Sequence, residues 1–168
     1  VLPLRNGDLI GVAPSGWLAT TICKILKAKT FHWAVVIGRD SGGYILSESL
    51  GKGTAVTRLR YAHYYAYRVR GCPAPTTGFL LGVHADNGDL EYDMQVNYLT
   101  GAWFLLKHYL KIVIPIVKNH TFNCQEWAVF LTLQWARSII PRDDYPYCIN
   151  LEQSPQLEFL GEHRETTP

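Results

Sequence analysis

Long apolar runs are missing from this chain. The nearest candidate, Ile112-Val113-Ile114-Pro115-Ile116-Val117, is short and broken by proline, so no segment is expected to cross a bilayer as a helix. A block of Lys and Arg is missing too. With a net charge of only +2, this argues against a nucleic-acid partner. Cysteine is scarce and scattered. Cys23, Cys72, Cys124 and Cys148 form neither a CxxC nor a Cys/His zinc pattern. They are enough for two disulfides, but a chain this apolar does not need them, and the redox compartment stays open. The N-terminus has no basic segment followed by an apolar one, so no signal peptide is visible. The first residue is Val1, which fits a processed chain or a piece of a longer protein. No internal repeat, low-complexity tract or linker divides the sequence.

What is present is material for a core. The 168 residues are 48% hydrophobic and 12% aromatic, so residues 1–168 are expected to form one globular domain with little disorder. Asn6-Gly7-Asp8 predicts a turn into a short strand, Leu9 to Val12. Ser15 reads as an N-cap. From Gly16 to Lys27 the residues Trp17, Leu18, Ile22, Ile25 and Leu26 recur at helical spacing, with Lys24 and Lys27 near the C-terminal end. Thr30 to Ile37 is a strand rich in β-branched and aromatic residues. The turn Gly38 to Gly43 folds it back into Tyr44 to Leu50 as a hairpin. Thr54 to Leu59 and Ala62 to Val69 predict two more strands. After Gly71 the pattern turns helical: Thr77 to His84, then Asn97 to Leu110, then a helix from Cys124. A last short helix is expected from Ser154, and Glu162 to Pro168 reads as a frayed polar tail. The fold class is therefore α+β, an antiparallel sheet of about five strands packed against helices.

One stretch carries the chemistry. Asn123 reads as the N-cap of an apolar helix (Trp127, Ala128, Phe130, Leu131, Leu133, Trp135, Ala136), which puts Cys124 in the first turn. Unpaired backbone N–H groups there carry partial positive charge and favour a thiolate. A cysteine nucleophile needs a base and a group that fixes the base. Of six histidines, His32 opens the most convincing strand and can project from one end of a rigid sheet. His120 is a weaker candidate; His63, His84, His108 and His163 read as surface residues. On the neighbouring strand, Glu48 is a carboxylate in an apolar setting, costly unless paired or solvated. A Glu accepting from the imidazole Nδ1–H would leave the other nitrogen for the thiol. His32 and Glu48 also make two metal ligands, but spacing suggests no third, and neither a metal nor another cofactor is expected.

The order Gly7-Asp8-Leu9-Ile10, His32 opening a strand that ends in Ile37-Gly38, Glu48 on the next strand, Tyr92-Asp93, then Asn123-Cys124-Gln125-Glu126 resembles a known family. It is similar to the circularly permuted papain-like cysteine peptidases and amidases of the YiiX/YaeF type, in the NlpC-like superfamily, with lecithin:retinol acyltransferase a more distant relative. The resemblance runs from Gly7 to about Ala136. It implies a permuted papain-like fold with Cys124 as nucleophile, His32 as base and Glu48 as orienting group. Family members often carry Tyr-Cys-Ser-Glu where this chain has Asn-Cys-Gln-Glu, and a small or aliphatic residue where it has Trp33. The Cys124 N–H would donate to an oxyanion, with Tyr92 or Asn123 as a second contact.

The function expected is hydrolysis of an amide bond in peptidoglycan or another peptide through an acyl-enzyme. A second reading is lipid acyl transfer or lipid-ester hydrolysis, with Trp17, Trp33, Tyr64 and Tyr65 lining a groove, although core burial is the ordinary fate of such aromatics. A third is a papain-like binding or assembly module without catalysis. Compartment and oligomeric state stay open. A free-standing protein and a domain of a cell-wall or phage-associated assembly are equally compatible with the sequence.

Overall fold

The computed structural model describes residues 2–51, 53–87, 123–140 and 148–165. Among these the fold is α+β. Strands β1 (Leu9–Val12), β2 (His32–Asp40), β3 (Gly43–Leu50), β4 (Gly53–Arg58), β5 (His63–Val69) and β6 (Leu157–Arg164) accompany helices α1 (Trp17–Leu26), α2 (Thr77–Asn87), α3 (Cys124–Leu133) and α4 (Cys148–Glu152). The strands form one antiparallel sheet in the order β4-β3-β2-β1-β5-β6. β2, β3 and β4 are a meander, as expected. β5 then crosses to the far side of β1, so the shortest strand lies between β2 and β5.

Both faces of the sheet are covered, which explains the unbroken apolar run in β2. Trp33, Val35 and Ile37 face a core built with Leu80 of α2 and Trp127, Ala128 and Leu131 of α3. Ala34 and Val36 face a second cluster with Ile10, Tyr44, Leu46, Tyr64 and Ala66. A strand buried on both sides has no reason to alternate. The hairpin turn closes with Gly42 N–H donating to Asp40 Oδ1 at 2.7 Å, and Gly43 takes φ 123°, a conformation that costs glycine least. Behind β1, the wholly buried Asp8 accepts two bonds from Arg68, at 2.8 and 2.7 Å, and one from Arg5 N–H at 2.8 Å. This paired charge fixes where the chain enters the sheet.

Three expectations change. First, the sheet has a sixth strand where a helix start and a frayed tail were read: residues 157–164 pair with β5 from Val69↔Leu157 to His63↔Arg164. β6 is an edge strand with mostly exposed side chains, so its sequence is polar. What makes it a strand is backbone pairing, which leaves no side-chain signature. Second, the short helix near this point is α4, ahead of Ser154. Third, α1 begins from Gly16, at φ 81°, without a side-chain cap; Ser15 does not serve. The apolar residues of α1 divide between water and the protein, with Ile22 and Leu26 half-buried. Ala19 and Cys23 are buried, whereas Trp17 is 80% exposed and Leu18 and Ile25 are exposed. The segment Asn97 to Leu110 lies outside the described residues. No helix among the described residues is long and apolar enough to cross a membrane.

Candidate active site

The site lies at the end of the sheet where β2 begins. His32 is the first residue of β2, and Ala34 pairs with Glu48 on β3, so His32 and Glu48 share one face of adjacent strands. The histidine Nε2 lies 2.7 Å from Glu48 Oε2. The Glu48 side chain is 3% exposed, and its desolvation is answered by a full set of donors. Thr57 Oγ1–H donates to Oε1, and Tyr61 O–H donates to Oε2. Tyr61 also packs its ring beside His32, with centroids 5.9 Å apart. Burial alone would raise the Glu48 pKa. The bonds from His32, Thr57 and Tyr61 outweigh it and hold the carboxyl below its ordinary value.

Cys124 meets the same imidazole from the other side of the site. It is the first residue of α3, buried at 4% exposure, and it stands near enough to His32 to favour the charged imidazole. Because Glu48 occupies Nε2, the nitrogen left for the thiol is Nδ1. The ring is thus turned the opposite way from the expectation that Glu48 would hold Nδ1–H. Burial works against the imidazolium, but the nearby Cys124 and the bond to Glu48 more than compensate and raise the His32 pKa to about 10.

The start of α3 is held by a full capping box. Asn123 Oδ1 accepts from Glu126 N–H at 2.9 Å, and Glu126 Oε2 accepts from Asn123 N–H at 3.0 Å. Asn123, 1% exposed, therefore has a structural duty in setting the turn that carries Cys124. The Cys124 N–H belongs to the first-turn amides that have no intrahelical acceptor. Asn123→Ala is expected to cost about 1 kcal/mol of stability by loss of the cap, read as a lower midpoint in chemical denaturation. Tyr92 and Asp93 lie outside the described residues, as do His108 and His120.

Five side chains near the site have roles not expected from the sequence. Gln125 accepts from Cys124 Sγ–H at 3.2 Å and donates to the Phe31 carbonyl at 3.3 Å, tying the first turn of α3 to the entry of β2. Thr57 and Tyr61, from β4 and the turn after it, complete the carboxylate's shell. Next to Glu48, the wholly buried Ser47 lies 2.7 Å from His84 Nδ1 and accepts from Trp127 Nε1–H at 2.9 Å. His84, read as a surface residue, is half-buried, and burial lowers its pKa. A pattern that could have flagged Thr57 is register: it lies on the same strand face as Ala55, the partner of Glu48. Tyr61 has no comparable signal. Of the four aromatics expected to line a groove, Trp33 and Tyr64 are core and Tyr65 is half-buried, leaving Trp17 exposed. Cys23, Cys72 and Cys124 are free thiols. Burial raises the Cys23 pKa to about 11, so that thiol is inert.

No protein-family profile matches this sequence, and no curated protein matches it. The fold is similar to the crystal structure of the metalloprotein yiiX from Escherichia coli O157:H7 (DUF1105), with a TM-score of 0.52. The similarity covers 96% of this chain and 98% of that chain at 13% sequence identity. At that identity the likeness concerns the fold: the chain shares a yiiX-like α+β architecture.

Proposed function

We propose that the chain is a cysteine hydrolase of the permuted papain-like kind, acting on an amide bond with Cys124 as nucleophile, His32 as base and Glu48 as orienting group. The observation that carries this reading is that an imidazole bonded to a buried carboxylate stands near a thiol at a helix N-terminus. His32 can take the Sγ proton through Nδ1, and Glu48 stabilises the imidazolium that results. The Cys124 thiolate then attacks the carbonyl carbon. The oxyanion formed lies near the first-turn N–H groups of α3. Collapse breaks the C–N bond as His32 Nδ1–H passes its proton to the leaving amine. Water next attacks the thioester, His32 accepts its proton, and the acid is released with the thiol restored.

The metal named for yiiX does not transfer readily. Among the described residues, no three or more His, Cys, Asp and Glu side chains are grouped to hold a metal ion. Both Glu48 oxygens already accept bonds, from Thr57, Tyr61 and His32.

The first test is alkylation of Cys124 by iodoacetamide at pH 6.5, in the wild type and in His32→Ala. Labelling of Cys124 in the wild type should outpace that of the inert Cys23, and His32→Ala should slow it by an order of magnitude or more. Equal labelling of Cys124 in both proteins would reject the thiolate–imidazolium pair and favour the non-catalytic binding module.

A further inference from the structure

Helix α1 presents the wrong side of itself to water. Trp17, Leu18 and Ile25 are exposed, while Ala19 and Cys23 take the buried face with Ile22 and Leu26 half-buried beside them. A helix that only needed to pack would carry polar residues on the outward face, where α1 carries these three. Successive 100° steps bring Trp17, Thr21, Ile25 and Leu18 onto one continuous stripe, with Lys24 along its border. Lys24, Lys27 and Lys29 are exposed in and just after the helix.

Along the segment that carries this stripe the charge has one sign. Residues 9–39 contain Lys24, Lys27, Lys29 and Arg39 and no Asp or Glu. The carboxylate bonded to this segment is Glu152, and it is committed to the N–H groups of Lys29 and Thr30 and to the Thr30 hydroxyl. The buried face of the same helix is tied to the strand that opens the candidate active site. Cys23 Sγ–H donates to the Thr30 carbonyl at 3.3 Å, fastening α1 to the strand entry. Phe31, 40% exposed, then stands between Thr30 and His32, with its carbonyl held by Gln125 beside Cys124. Apolar side chains including a tryptophan, bordered by lysines and without acids, match the boundary between headgroups and acyl chains of an anionic bilayer.

We infer that α1 is a peripheral docking helix for an anionic lipid surface. Trp17, Leu18 and Ile25 enter the interface, Lys24, Lys27 and Lys29 meet its headgroups, and the mouth of the Cys124 site faces substrates carried in that surface. The docking stands on α1 alone; the statement about substrate rests on the hydrolase reading.

The test is sedimentation of the full chain, as Cys124→Ala, with vesicles of phosphatidylcholine alone or with about one third phosphatidylglycerol. Using the inactive variant separates docking from chemistry, which is followed independently on a soluble amide with the wild-type thiol. Binding to the anionic vesicles is expected to be at least tenfold tighter than to the neutral ones, and to weaken with salt. Trp17→Ser with Ile25→Ser should lower it at least tenfold, and Lys24→Glu with Lys29→Glu should remove the preference for anionic lipid. Both pairs are exposed, so unchanged circular dichroism is expected. Absence of vesicle binding would overturn the inference, as would binding that neither pair alters. Concentration-dependent dimers in sedimentation velocity, abolished by Trp17→Ser without any vesicle binding, would assign the stripe to a protein interface instead.

Discussion

If the chain is the cysteine hydrolase proposed, Cys124→Ala is expected to lower kcat/KM on an amide substrate by about 10⁴-fold or more, because that mechanism forms its acyl-enzyme on this thiol. His32→Ala should cost roughly 10²–10⁴-fold, the usual contribution of a positioned general base and acid. Adding it to Cys124→Ala should cost almost nothing further. The two act as one unit, so their losses do not add. Steady-state kinetics on the two single variants and the double variant checks all three outcomes. Full activity in Cys124→Ala would end the cysteine mechanism. A Cys124→Ala variant that is inactive beside a fully active His32→Ala would keep the nucleophile and reject the base. The substrates to try first are short N-acyl amides and peptidoglycan fragments, with release of a free amine as the readout.

The sequence carried the site better than it carried the sheet, and the reason is physical. Asn123, Glu126 and Cys124 are local: a cap, its reciprocal acid and the residue between them lie within four positions, and the capping box forms as those residue types dictate. His32 and Glu48 are joined by a hairpin whose turn residues are visible, so their strands had to be neighbours. Which ring nitrogen faces Glu48 depends on where α3 arrives, and that is a tertiary fact. Tyr61 and His84 were missed for the same reason. His84 reaches Ser47 from a helix 37 residues away, and Tyr61 reaches Glu48 from an irregular turn whose path the residue types do not fix. β6 shows the other limit: Leu157 to Arg164 has no apolar alternation because one edge strand needs little, and only its ladder with β5 defines it. The helical spacing from Gly16 to Lys27 gives α1 as a helix but not which of its faces is buried. Periodicity locates an apolar face but does not say what that face meets.

Glu48 is where stability and chemistry are most tightly joined, and two substitutions separate them. Glu48→Ala should cost about 3–5 kcal/mol, because it strands His32 with its charge and leaves the Thr57 and Tyr61 hydroxyls without their acceptor. Glu48→Gln keeps the shape and most of the bonds. Its oxygen can face His32 and Tyr61, and the Thr57 hydroxyl can turn to accept from the amide. Its stability loss should therefore be much smaller. What Glu48→Gln removes is the charge that helps hold the imidazolium. In the wild type the His32 pKa is raised from 6.5 to about 10. The stabilisation this brings is complete below pH 6.5, where the unfolded chain is protonated as well. It is lost as the pH rises through about 10, where the folded chain gives up the proton. Denaturant midpoints measured from pH 6 to 10.5 should fall steeply in the wild type and less in Glu48→Gln. The same variant should lose kcat with little change in KM, because the carboxylate acts on the transition state through His32 and not on the substrate. Parallel stability slopes in the two proteins would mean that Glu48 does not govern the protonation of His32, and the triad would reduce to a Cys124–His32 pair.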